Sequence, residues 1–347
     1  MSNSAGSVWK SDQSYDRIVE RDYQGKEKKS MDKRKRAGYV LTVFGAVCWA
    51  FSGACGQYLF QSRGMDADWL VTMRLSVAGL LLVLWSLARW RGGALQVFRT
   101  RRSVGSLLVF AVFGMAMCQY SYFRAIELSN AATATTLQYT GPALVLIWLA
   151  LREKRMPGRR ELIAVVCAMG GAYLLATHGD PSQLALSPEA LFWCVLAAVS
   201  VAVYSVQPRG LIAQYGTLPV TGFGMLIGGL GRCVLCRPWH VVGPWDAVTV
   251  LGMAYIIVFG TICAFCCYLE GVRRIGAARG SILSSIEPVA STVLSVFWLG
   301  VPLGGMDFGG IALIVAAMVL LAGDDGDKPA EKPRKIREKF REEAKND

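Results

Sequence analysis

From Gly38 to Ala322 the chain alternates between long apolar runs and short polar ones. Ten runs have the length of a membrane span: 38–60, 69–90, 103–126, 131–151, 161–177, 189–207, 217–236, 247–270, 277–299 and 305–322. About 20 apolar residues cross a bilayer core. Backbone N–H and C=O groups find no water there, so each run is expected to be a helix. The pattern predicts an all-α polytopic membrane protein with ten transmembrane helices. Residues 1–36 and 323–347 hold no such run and are expected to be polar tails, the first of them disordered. The first apolar run comes too late and is too long for a signal peptide. Met31, directly before DKRKR, offers a second translation start.

The run at 131–151 has a polar middle, LQYTGP, with a helix-breaking proline. A shift of 146 residues finds its counterpart, LSSIEP at 283–288. The same shift carries Val112, Phe113 and Gly114 onto Val258, Phe259 and Gly260, and Tyr122 onto Tyr268. Upstream the shift grows to about 151–152 and pairs the first span with the sixth. The chain therefore divides into halves at 37–178 and 188–322, each of five predicted helices. Five is odd, so the second half enters the membrane from the opposite side. Inverted repeats place a binding site between the halves near the midplane.

Loop charge orients the spans. Loops 88–102, 152–160, 208–216 and 271–280 carry 14 Lys and Arg; the alternate set carries two, Arg63 and Arg237. Basic loops stay on the cytoplasmic side, so both termini are expected in the cytoplasm and His178 and His240 outside. A cell-membrane location follows. The net charge of +12 is no nucleic-acid footprint, because it is spread over loops and tails. Composition agrees with a membrane protein: 53% of residues are apolar and the mean hydropathy is +0.38.

The ten cysteines fall in or beside apolar runs and read as small packing residues. Cys233 and Cys236 have zinc-type spacing but lack a second ligand pair, so no metal is expected. No GxxxxGK[ST] phosphate loop occurs, and no cofactor is expected.

Several stretches resemble the EamA-type family of the drug/metabolite transporter superfamily. They are CWAFSG at 48–53, DWLVTMR ending at Arg74, SNAATATTLQYTGPALVLIWLALREKRMPGRRELIAVVCAMGGAYLLA at 129–176, and IGAARGSILSSIEPVASTVLSVFWLG at 275–300. The resemblance spans 37–322. It implies a basket of ten helices in two inverted five-helix repeats, a central cavity, and alternating access by rocking or bending. The second half departs from the pattern: WLGVPLGG has no acid where the first half has Glu153, and Met225 stands opposite Arg74.

Candidate site residues follow from the paired proline helices. Thr135, Gln138, Tyr139 and Pro142 match Ser281, Ser284, Ser285 and Pro288, each set forming one polar helical stripe. Each proline kinks its helix and frees the carbonyl four residues back, that of Gln138 or Ser284. The stripes face a cavity or serve to pack helices closely. Glu287 sits mid-span, where a carboxylate costs ~2.5–3.5 kcal/mol on insertion scales. It binds a substrate amine, couples protons, or pairs with Arg74 or Arg232. Arg74 lies six residues into its predicted span and is expected to pair, pack or snorkel outward. Trp49, Gln119 and Tyr204 are further cavity candidates. Tyr122 and Tyr268, at span ends, are expected in the interfacial belt, as is Glu270. Arg124 and Glu127 are spaced for a local pair.

The expected function is secondary active transport of a small organic metabolite such as an amino acid, amine or drug-like solute, as an exporter. Its partners are that solute, protons as candidate coupling ion, and the lipid bilayer. A membrane-embedded enzyme is the alternative, but no nucleophile, base or metal cluster stands within the spans. A non-transporting sensor or scaffold is the third class. Substrate identity and oligomeric state stay open.

Overall fold

The computed structural model describes residues 6–141, 143–144, 147, 151, 158–178, 180, 186–236, 238–239, 243–275, 280 and 283–322. Among these, every regular element is a helix. Helix α1 (Gly6–Arg63) runs through the segment expected to be disordered into the first apolar run. That segment is rich in Lys, Arg, Glu and Gln, all good helix formers, so the helix does not stop where the apolar residues do. Gly64, with φ of +63°, ends it.

Helix α2 (Ala67–Trp90) passes into a 3₁₀ turn at Arg91–Phe98. Thr100 then caps α3 (Arg101–Leu128) by accepting from the Ser103 N–H. Helix α4 (Ala131–Gln138) is capped by Asn130, α5 is Arg159–Thr177, and α6 (Pro188–Val206) starts on Ser187 with proline in its first turn. The short α7 (Arg209–Tyr215) bends 43° away from α6. Then come α8 (Thr217–Cys236), α9 (Ala247–Ile275), α10 (Ile286–Phe297) and α11 (Gly305–Ala322).

Six of these helices are long and apolar enough to cross a bilayer, with α6 and α7 together as a seventh. Helices α10 and α11 are shorter and apolar. Most predicted runs match a helix to within a few residues. The run at 131–151 is represented by α4, and that at 277–299 by α10; Pro142, Ser281 and the tail 323–347 lie outside the described residues.

The strongest helix pairings each join the first half of the chain to the second, among them α1 with α9, α2 with α8, α3 with α6 and α5 with α11; α4 packs on α10 across the halves as well. Small residues allow these approaches. A Cβ on Gly171 would lie 2.6 Å from the Gly310 carbonyl oxygen, and one on Gly310 would lie 2.8 Å from that of Gly171. Large apolar side chains such as Leu81, Trp85, Phe113 and Phe297 are exposed, whereas Gln57, Thr135 and Ser291 are buried. That is the distribution a lipid-facing bundle requires.

Two helices contain a widened π-helical turn: α3 at Phe110–Ala116 and α9 at Val258–Cys263. Such turns hold one extra residue and mark functional positions in many helices. They fall on the two segments that the 146-residue shift superposes.

Candidate functional site

A cavity of about 250 Å³ lies in the bundle, lined from both halves of the chain. Of the side chains singled out in the sequence, Trp49, Arg74, Gln119, Gln138, Tyr139, Tyr204, Ser284 and Glu287 line it.

Its centre is a helix break that occurs twice. Tyr139 follows α4 with φ −68° and ψ −2°, and Ser285 precedes α10 with φ −63° and ψ −6°. Both depart from helical ψ three residues ahead of a proline in the sequence, at positions 146 apart. A proline ring clashes with the carbonyl four residues back and opens the turn there. At α10 that carbonyl belongs to Ser284, and the Tyr139 hydroxyl lies 2.8 Å from it. The same hydroxyl lies 2.7 Å from Glu287 Oε2. One hydroxyl proton thus faces two acceptors. When Glu287 is a carboxylate, Tyr139 donates to one or shares between them. When Glu287 carries a proton, it donates to the Tyr139 oxygen and Tyr139 donates to the Ser284 carbonyl, so each of the two hydrogens has its own acceptor.

Arg74 does not snorkel. It is 3% exposed and reaches from α2 to the widened turn of α9. Its Nε donates to Thr261 Oγ1 at 2.7 Å and its Nη2 to the Gly260 carbonyl at 3.1 Å. Thr261 passes its own proton to the Ile256 carbonyl, five residues back. The guanidinium also stands 4.8 Å from the Phe123 ring centroid, a cation–π contact. Arg74 therefore clamps the π-helical turn of the other half. Among the described residues no cation is within ion-pair distance of Glu287; Arg232 pairs with Asp68 instead.

Thr135 and Ser285 are buried but do not line the cavity. Thr135 shares a hydrogen bond with the Tyr122 hydroxyl at 2.8 Å and lies 3.4 Å from Ser291 Oγ, so it packs α4 against α3 and α10. Tyr122 and Tyr268 line the cavity, contrary to the interfacial expectation. The helix face decides here, not distance from the span end. Gly114, Cys118, Gln119 and Tyr122 form one stripe on α3, and Phe265 and Tyr268 continue it on α9. That spacing was the missed signal. Tyr122→Phe is expected to lower stability by about 0.5–1.5 kcal/mol through the lost Thr135 bond, measured by thermal melting in detergent. An unchanged melt with altered solute selectivity would instead give the hydroxyl a cavity role.

At the end where α1 stops and α2 starts, three ion pairs cross between the halves: Arg63–Asp246 at 2.8 Å, Arg124–Glu189 at 3.0 Å, and Arg232–Asp68. Arg124 also makes the expected pair with Glu127. The Thr249 N–H, ahead of the Arg63 charge, holds the Asp246 carboxyl below its ordinary value, so this pair is intact at neutral pH. At the opposite end, Glu270 pairs at 2.7 Å with Arg273 and Arg274 of its own helix. All ten cysteines are free thiols, and no group of three metal-ligating side chains occurs among the described residues.

The chain matches the EamA-like transporter family over residues 36–177 and 189–323. It is similar to the uncharacterized inner membrane transporter YicL of Salmonella typhimurium strain LT2, with 38% identity over 292 residues, 83% of this chain and 96% of that protein. The threonine/homoserine exporter RhtA of Salmonella typhimurium strain SL1344 is 26% identical over 285 residues, 80% of this chain and 89% of that protein. One solved structure, at 21% identity, covers 82% of this chain and 96% of its own with a TM-score of 0.55, a likeness of fold.

Proposed function

Because the chain belongs to the EamA-like transporter family, we propose that this membrane protein is a secondary active transporter that exports a small organic solute by alternating access. The observation that carries the reading is the cavity between the halves, where Tyr139 of one half and Glu287 of the other share a proton-deficient hydrogen-bond cluster. Proton exchange at Glu287 is the proposed coupling step. Export is favoured by the likeness to a protein named as an exporter, and a zwitterionic or cationic solute by the carboxylate in the cavity.

Ten spans in two inverted repeats, 37–178 and 188–322, are part of the same proposal. The helix pairings support it. If the halves are equivalent in order, α1 corresponds to α6 and α3 to α9. The pairing of α1 with α9 then maps onto that of α6 with α3, and the other three pairings map onto themselves. A two-fold axis in the membrane plane has this effect. Loop charge puts both termini in the cytoplasm of a cell-membrane protein. The three crossing ion pairs then lie on the outer side and close it. Exposed pairs contribute ~0–1 kcal/mol each, weak enough to break in every cycle.

Cys118 lines the cavity and reports on access. With the other nine cysteines replaced, a membrane-impermeant maleimide is expected to label Cys118 from both faces of vesicles during turnover. Labelling from one face under every condition would rule out alternating access.

A further inference from the structure

Arg74 and Glu287 are the only two charged side chains among the described residues lining the cavity. They carry opposite charge, they are 3% and 7% exposed, and they do not pair with each other. Opposite charges in one buried space ordinarily close on each other, because an isolated buried charge is costly. Here each is held back by the fold. Arg74 is pinned to the widened turn of α9 through Nε and Nη2. A guanidinium has five N–H groups; two are used, and three have no acceptor among the described residues. Glu287 is pinned through Oε2 by Tyr139, while its Oε1 has no donor among the described residues. So a fixed cation with free donors and a fixed anion with a free acceptor stand apart across one cavity.

We propose that the cavity takes a zwitterion, with its carboxylate on the open N–H groups of Arg74 and its ammonium on the open oxygen of Glu287. A small α-amino acid is such a molecule. Opposite formal charges on the lining match a solute of zero net charge, whereas a simple amine leaves Arg74 unmatched and a simple acid leaves Glu287 unmatched. The volume of about 250 Å³ lies just below the ~300–1,000 Å³ of drug-sized ligand pockets, room for a smaller solute. Trp49, Tyr204, Phe265 and Tyr268 form an aromatic wall, with Trp49 5.1 Å from both Phe265 and Tyr268, against which an apolar side chain can lie. The same carboxylate accepts either the ammonium or a proton. The proposal therefore rests on the transporter reading for its role, but not for its chemistry.

The test is equilibrium binding to the purified full-length protein in nanodiscs. The twenty standard amino acids are measured first. The tightest is then compared with its methyl ester, its N-acetyl derivative and its decarboxylated amine. The zwitterion is expected to bind ~10- to 100-fold more tightly than each single-charge analogue. Arg74→Gln is expected to remove the preference over the ester and amine, and Glu287→Gln the preference over the N-acetyl derivative. Equal binding of parent and amine, or binding of none of the twenty, overturns the proposal. So does an equal loss for all four ligands in both variants. If Arg74→Gln fails to fold, the ligand series on the unmodified protein still decides. Zwitterion-selective binding without flux in proteoliposomes would remove the transport function and leave this inference standing. Flux of single-charge solutes alone would do the reverse.

Discussion

Glu287→Gln is expected to abolish the response of solute flux to an imposed pH gradient while leaving the protein folded. The amide has the shape of the protonated acid. Its NH₂ can donate to the Tyr139 oxygen, so that Tyr139 donates to the Ser284 carbonyl as in the matched state described above. Stability should therefore stay within ~1 kcal/mol of the parent. What is lost is the exchange of the proton. In proteoliposomes, flux against a pH gradient should fall to the level of protein-free vesicles, and melting in detergent should be nearly unchanged. A variant that still accelerates with the gradient as the parent does would exclude Glu287 as the coupling site. Tyr139→Phe makes a useful contrast: it removes the shared hydroxyl, so it should lower stability as well as coupling.

The second large effect is on folding. Gly79 lies where α2 packs on α8, and a Cβ there would fall 2.3 Å from the Leu226 nitrogen and 2.7 Å from its Cα. Both are backbone atoms and cannot swing aside. Gly79→Ala must separate the two helices, and overpacking of this kind costs ~1–3 kcal/mol or more. Alanine is otherwise the better helix former by ~1 kcal/mol, so the sign is informative. Gly105, in the first turns of α3, has nothing within 4 Å of a built Cβ. Gly105→Ala should therefore stabilise by ~0.5–1 kcal/mol. Melting temperatures in a fixed detergent should move in opposite directions for the two variants. A rise in both would mean that the α2–α8 approach is not tight.

The helices were legible because the bilayer imposes length and polarity residue by residue. Runs such as 69–90, 217–236 and 305–322 needed only counting, and the structure ends those helices within two residues of the expected positions. The repeated break was legible as well, since proline and its distance from the polar stripe are written locally. What the stripes touch was not. The polar stripe around Thr135 is shared between a cavity wall, at Gln138 and Tyr139, and a packing contact, at Thr135 itself. Both need the same residue types at the same spacing. That Arg74 pairs or packs was among its readings from the sequence, but which group it meets was not legible, because its partner, Thr261, is 187 residues away. Tyr122 and Tyr268 were misjudged because the belt rule weighs depth in the membrane and ignores which face of the helix a residue occupies. The widened turns have no local signature in this sequence, beyond being among the residues that best match between halves.

That match has a historical consequence. A π-helical turn is the trace of a one-residue insertion into an α-helix. Here the two traces, at Phe110–Ala116 and Val258–Cys263, overlap under the 146-residue shift at 112–116 and 258–262, within segments that superpose without a gap. If the halves descend from one ancestor, the insertion is older than the duplication, and a single five-helix forebear already carried it. Arg74 has no such twin, since its counterpart is Met225. The symmetric part of this molecule is then its inheritance, and the charge that clamps one of the two turns is where the halves have since diverged.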